Sequence, residues 1–261
     1  MMRTKPAIAA VALAAVMALA PGLAQAQATC SKIVATGHPE YPPIGFKDGD
    51  RISGVGIDVL TRVAGDLGVA VESRHTGSWA EAQATMRDGK ADAIVGIYYN
   101  DERAKYLDYA RPGFMPDPVV VMVAKGKAFR FAGRDDLIGK KGVTNEGESY
   151  GPDFDAFIAS RLTVARSKGV EPAMDGTIDG TYDYLIIGLY PGLAEAAKHG
   201  VDGKLETLKP NLLTEDFFIA FAQKSPCRAL AGKVGAALAA MRADGRLETL
   251  VAASLAKWQK R

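Results

Sequence analysis

The chain has 261 residues, 48% of them apolar, with 32 Lys and Arg against 30 Asp and Glu and a net charge of +2. Arg3 and Lys5 lie in an acid-free leader, so the remainder is balanced at 30 against 30. This excludes the basic excess that binding to nucleic acid or an anionic membrane requires. His38, His75 and His199 are the only histidines and share no ligand-like spacing with the two cysteines, so no metal or other cofactor is expected.

The leader reads Met1-Met2-Arg3-Thr4-Lys5, an apolar Ala-rich run from Ala7 to Ala20, a Pro21-Gly22 break and Ala24-Gln25-Ala26. Charge, apolar stretch and small-x-small site make a secretory signal over residues 1–28, removed on export, rather than a membrane span. A lipid anchor on nearby Cys30 is the alternative, which Gln27-Ala28-Thr29 disfavours. About 235 residues remain, enough for two modest lobes or one large domain.

A strand is predicted over Ile33 to Thr36, feeding the proline-broken loop His38-Pro39-Glu40-Tyr41-Pro42-Pro43. Val55 to Leu67 repeats apolar residues at helical spacing and stops at Gly68; a strand follows over Val69 to Glu72. Ser78 caps a helix running from Trp79 to Met86, and Ala91 to Ile97 forms a third strand. This alternation implies right-handed crossovers in a mainly parallel sheet. Val119 to Ala124 is a β-branched strand that ends at Lys125-Gly126, after which a second series begins. That series holds a helix from about Asp153 to Leu162 and strands near Val164, at Tyr184 to Ile187, Leu205 to Leu208 and Phe217 to Ala222. Two Ala-rich helices, about Cys227 to Arg242 and Leu247 to Gln259, close the chain.

Chemistry concentrates in the run Gly89-Lys90-Ala91-Asp92-Ala93-Ile94-Val95-Gly96-Ile97-Tyr98-Tyr99-Asn100-Asp101-Glu102-Arg103, continuing to Leu107-Asp108-Tyr109-Ala110-Arg111-Pro112. It delivers an arginine just past the C-terminal end of a buried strand, where open α/β sheets bind ligands. The fork of Arg103 can hold a carboxylate through two parallel hydrogen bonds. Its competing reading is a solvated helix arginine paired with Asp101 or Glu102. Cys30 and Cys227, at opposite ends of an exported chain, are expected to form a disulfide.

Gly89, Asp92, Asn100, Glu102, Arg103, Tyr109 and Pro112 resemble a segment of the periplasmic solute-binding proteins of ABC importers, in the family that carries polar amino acids. The resemblance covers nearly all of the mature chain. It implies a type II binding fold of two α/β lobes joined by two hinge crossings near Ala124 and Ala222. Lobe 1 would be 29–124 plus 223–261, and lobe 2 would be 125–222. It also implies a monomeric periplasmic receptor, not an enzyme, that carries no catalytic residue, does not insert into the membrane and passes its ligand to a permease. By the same resemblance Tyr41 and Trp79 are aromatic walls that sandwich the ligand, the competing reading being that either ring is simply core. Gly96 and Tyr98 meet the ligand's polar end, and Arg103 takes its carboxylate together with the Gly147-Glu148-Ser149 turn at a helix start. Glu148 serves either as a ligand contact or as a helix-start acid.

Four positions depart from the pattern, among them Glu148, which brings a charge to the Gly147-Glu148-Ser149 turn. His38 falls where an acid is common, and Tyr98 replaces a small hydroxyl. Gly188 replaces the acid that accepts an ammonium, so either Glu148, Glu40 or Glu195 substitutes or the ligand lacks an α-amino group. The expected ligand is a small carboxylate-bearing metabolite, an amino acid or related organic acid. Alternatives are an exported cyclohexadienyl-type dehydratase using Glu148, or an accessory or sensory binding protein, for instance beside a periplasmic quinoprotein dehydrogenase.

Overall fold

Short apolar runs become strands and amphipathic stretches become helices in a mixed α/β arrangement. It is seen in a computed structural model that describes Met1 and residues 30–258. The expected signal therefore falls outside the described residues, Met1 excepted, as does Gln259 at the end of the last helix.

In the first series β1 (Lys32–Gly37) pairs in parallel with β5 (Ala70–Ser73) on one side and β6 (Ala93–Ile97) on the other. A small antiparallel sheet is formed by β2 (Glu40–Tyr41), β3 (Gly45–Asp48) and β4 (Arg51–Ser53), the first of them inside the proline-rich segment. Helix α1 (Val55–Asp66) buries Val55, Val59, Leu60 and Val63, the stripe its spacing predicts. Helix α2 (Trp79–Asp88) starts in a capping box: Ser78 accepts from the Glu81 N–H while the Glu81 carboxylate accepts from the Ser78 N–H. A single turn, α3 (Asp101–Ala104), precedes β7 (Leu107–Ala124).

Strand β7 is 18 residues long, and the expected strand from Val119 to Ala124 is only its final third. Pro112, Pro116 and Pro118 disguise the rest. Its partner β12 (Leu213–Ala222) runs antiparallel along it, pairing Leu107 with Ala222 at one end and Val119 with Leu213 at the other. The register shifts between Phe217 and Ile219.

The second series contributes β8 (Lys141–Asn145), α4 (Pro152–Arg161), β9 (Thr163–Ser167), α5 (Val170–Ile178), β10 (Tyr184–Gly188), α6 (Leu189–Lys198) and β11 (Leu205–Thr207). Helices α5 and α6 are not anticipated by the sequence reading, because Pro172 and the Pro191-Gly192 pair suggest turns. Both prolines fall in a first helical turn, where the N–H they lack has no intrahelical partner. Helices α7 (Leu230–Ala243) and α8 (Arg246–Trp258) close the described chain.

The large sheet has the order β5-β1-β6-β12-β7-β10-β8-β9, with β11 also on β7. Its flanks are parallel and its centre antiparallel. Strand β12 joins β6 through Phe218 to Phe221, while β7 joins β10 through Val119 to Met122. The central pair thus belongs to both series, and its residues Val119–Val123, Phe217, Ile219 and Phe221 are fully or almost fully buried. The expected disulfide is present: Cys30 and Cys227 are bonded, with Cα atoms 5.0 Å apart, across a sequence separation of 197.

Candidate functional site

Arg103 is placed by the single turn of α3. Asn100 caps that turn by accepting from the Arg103 N–H at 2.7 Å, which directs the side chain inward until only 3% of the residue is exposed. Nε donates to Gln83 Oε1 at 3.0 Å, Nη1 to the Tyr98 carbonyl at 2.9 Å and Nη2 to the Gly147 carbonyl at 2.9 Å. The guanidinium carbon lies 5.5 Å from the centre of the Trp79 ring. All three acceptors are neutral, and the fork has N–H groups beyond these three bonds. Arg103 is therefore not the solvated, acid-paired arginine of the competing reading.

Gly147 has φ +82°, and a Cβ there would lie only 2.8 Å from Gln83 Nε2, so this turn approaches α2 as closely as a glycine allows. The expected free donors of the turn are largely engaged. Asp155 accepts from the Ser149 hydroxyl and, at 2.8 Å, from the Tyr150 N–H; the Glu148 N–H donates to Asn145 O. Ser149 also receives Asn100 Nδ2 at 2.6 Å, joining the two series.

Tyr41 and Trp79, expected to sandwich a ligand, each pack against the ring of His38. Its centroid lies 4.7 Å from Tyr41 and 4.9 Å from Trp79, with planes within 30°. His38 Nδ1 accepts from the Glu40 N–H at 3.0 Å, and Nε2 lies 3.1 Å from Glu148 Oε1 and 3.0 Å from Asn145 Nδ2. His38 and Glu148 are both buried. Trp79 Nε1 has no hydrogen-bond partner among the described residues, although Trp79 is 3% exposed.

Gly96 lies on β6 with φ +71°, and the nearest atom to a Cβ there would be Ile44 Cγ2 at 2.7 Å, which is a packing constraint. Tyr98 stacks on Phe217 at 4.9 Å and donates its hydroxyl to Asp117 Oδ2 at 2.5 Å. The Gly188 N–H donates to Tyr41 Oη at 3.2 Å. A Cβ on Gly188 would stand 1.9 Å from Asp117 Oδ2 and 2.9 Å from Tyr98 Oη.

The space left by Gly188 is thus filled by Asp117, an acid absent from the three candidates expected there. Glu40 instead accepts from the Val170 N–H at 3.2 Å, and Glu195 is held by Lys198 and His199. Burial pushes the Asp117 carboxyl up to about 7 against the pull of Tyr98 and the α6 N-terminus, with nearby Glu148 raising it further. Burial likewise holds the Tyr41 and Tyr98 hydroxyls well above their ordinary range.

Of the residues singled out from sequence, Arg103, Trp79, Tyr41, Tyr98, Glu148 and Ser149 are brought together here with His38, and alongside them stand Asp117, Gln83 and Asn145, which the sequence reading does not single out. A crevice too narrow to hold a water molecule lies among Tyr41, Asn145, Glu148, Tyr150 and Ile187. Wider grooves run along Trp79 and Lys168 on one side and along Arg103 and Arg166 on the other. Among the described residues no group of His, Cys, Asp and Glu is arranged to hold a metal ion, and no helix is long and apolar enough to cross a membrane.

Several solved structures share this fold. A histidine kinase sensor domain with similarity to periplasmic binding proteins is 22% identical, with a TM-score of 0.71 over 86% of this chain and 96% of its own. An ancestral arginine-binding protein bound to glutamine is also 22% identical, with a TM-score of 0.69 over 86% and 97%. The GluR0 ligand-binding core from Nostoc punctiforme, in complex with L-glutamate, is 21% identical, with a TM-score of 0.68 over 85% and 98%. Among curated proteins none matches the chain in sequence. The type II periplasmic binding fold is therefore that of this chain. The model of the bacterial extracellular solute-binding proteins, family 3, matches residues 33–258, and the chain belongs to that family.

Proposed function

We propose that the chain is a periplasmic receptor that captures a small carboxylate-bearing metabolite, an amino acid or related organic acid, between its lobes. It acts as a monomer without turnover and delivers its ligand to an ABC permease. Arg103 carries the reading. A guanidinium that is nearly fully buried and bonded only to neutral acceptors favours an anion beside it, because an uncompensated charge is costly to bury. The unpaired Trp79 Nε1–H beside the same cation offers that anion a further donor.

The lobes follow the outline 29–124 plus 223–261 and 125–222, with one refinement. The crossings belong to the middles of β7 and β12, since Val119 to Ala124 already pair with β10 and β11. Closure then bends a strand pair rather than a loop.

Calorimetric titration with a panel of amino acids and organic acids should find one or more that bind and are not consumed, with Arg103→Ala weakening binding by about 100-fold. Absence of binding by the wild-type protein, or equal affinity in Arg103→Ala, would remove the receptor reading. One observation favours a second reading, the exported dehydratase: Glu148 is a buried acid hydrogen-bonded to His38 inside the cleft. Aromatic product formed from prephenate or arogenate and lost in Glu148→Gln would establish it instead.

A further inference from the structure

The groove beside Arg103 carries more positive charge than one carboxylate can use. Its volume of about 670 Å³ is that of a small-molecule site, and Arg87, Arg103, Lys105 and Arg166 line it together with Glu102, Glu148 and Asp155. Each of those acids already has a partner. Glu102 pairs with Lys105, Glu148 faces His38, and Asp155 accepts from the Ser149 hydroxyl and the Tyr150 N–H. Arg87, Arg103 and Arg166 are left without an ion pair among the described residues. Arg87 lies over the Tyr106 ring at 4.7 Å, and Arg166 Nη1 donates to the Glu148 carbonyl at 2.8 Å, next to the Gly147 carbonyl that receives Arg103 Nη2.

These three guanidiniums come from α2, α3 and β9, so both series of elements contribute to one space. Like charges gathered without counter-ions repel one another, and an anion among them relieves the repulsion. Tyr106 adds a neutral donor. It lines the same groove, yet its hydroxyl oxygen is buried and has no hydrogen-bond partner among the described residues. Burial raises that hydroxyl above its ordinary value while Arg103 and Arg87 pull it down, so both cations act on the same oxygen. A buried hydroxyl is costly to leave unpaired, and an oxygen of a ligand would satisfy it.

The donor set also selects a chemistry. A carboxylate offers two oxygens and one charge, which a single guanidinium fork satisfies. A phosphoryl group offers three oxygens and a charge of about −1.5 to −2 at neutral pH, which calls for several forks. We infer that the groove is a second anion site, for a doubly charged oxyanion of the phosphate class, free or as a monoester, with Arg87, Arg103 and Arg166 as its cations and the Tyr106 hydroxyl as a further donor. The site goes beyond the receptor reading and shares only Arg103 with it.

The test is calorimetric titration at constant ionic strength with inorganic phosphate, O-phospho-L-serine, L-serine and acetate. The proteins are the wild type, Arg87→Gln, Arg166→Gln, Tyr106→Phe and Lys233→Gln, the last an exposed cation of α7 that does not line the groove. Circular dichroism and melting establish that each variant is folded. Should one arginine variant not fold, the other decides together with Tyr106→Phe.

The wild type should bind phosphate or phosphoserine saturably and about tenfold or more tighter than acetate, with Arg87→Gln and Arg166→Gln each weakening that binding about tenfold and Tyr106→Phe by a smaller factor. Lys233→Gln should leave it unchanged. Phosphate bound as tightly as phosphoserine identifies the free anion as the occupant, and phosphoserine bound more tightly than both phosphate and L-serine identifies a monoester. Either result supports the site. No saturable binding of phosphate or phosphoserine, equal affinity for acetate, or undiminished binding in the arginine variants would overturn the inference. So would a loss in Lys233→Gln as large as theirs, which marks diffuse attraction. Each of these failures leaves the receptor reading standing, because that reading is judged by carboxylate binding and Arg103→Ala.

Discussion

The Arg103 end of the cleft and the Asp117 end bury opposite charges by different means. Arg103 spreads its charge over a planar fork and meets an acceptor from α2, one after β6 and one in the turn after β8. Asp117 concentrates its charge on two oxygens met by one hydroxyl and the start of α6. Burial pushes the Asp117 carboxyl up to about 7, so that end is adjustable near neutrality.

The comparison breaks most sharply at Gly188. Gly188→Ala places a methyl 1.9 Å from Asp117 Oδ2 and should destabilise the protein by about 5 kcal/mol in urea unfolding. Combining it with Asp117→Gly should restore most of that loss, and a double variant no better than the single one would show that the overlap is not the cause.

Proton linkage distinguishes the ends next. Because the folded-state value of Asp117 lies above its ordinary 3.8, folding binds a proton between about pH 4 and 7, and stability falls as pH rises through that window. Asp117→Asn removes the penalty. It should leave stability nearly unchanged at pH 4 and raise it at pH 8 by up to about 4 kcal/mol, since each pH unit of the window is worth about 1.4 kcal/mol. A pH-independent difference would contradict the assignment.

At the other end, Arg103→Ala strands three acceptors and should cost about 3 kcal/mol in urea unfolding. Ser78→Ala, in the capping box of α2, should cost about 1 kcal/mol in thermal unfolding. A larger loss there would mean that α2, which carries Gln83 and Trp79, holds the Arg103 end more firmly than its cap suggests.

The Arg103 end is the legible one because its parts are local. Strand, cap, turn and arginine fall within a short stretch of chain, and hydrophobic periodicity with a single Asn locates them. The helices capped by Ser78 or ended by Gly68 are equally readable. The Asp117 end is hidden because its parts are distant in sequence. Asp117 lies between Pro116 and Pro118 in a strand whose prolines conceal it, and Gly188 precedes a helix whose Pro191-Gly192 reads as a turn. Only the antiparallel register, which sets Val119 opposite Gly188, brings the acid into the glycine's space. His38 shows a milder form of the same limit: its sequence context marks it as unusual, but its place against Tyr41 and Trp79 depends on the turn of the β2 segment and on α2 together.

The bond between Cys30 and Cys227 has a consequence of another kind. It encloses β1 to β12, and with them every residue discussed at either end of the cleft, within one covalent loop. A protease that severs a single peptide bond anywhere between the two cysteines would leave a molecule of undiminished mass under non-reducing conditions, its pieces still tethered. Such nicks would become visible only after reduction, and the intact ring gives a clipped chain the opportunity to keep its strands registered and its cleft assembled.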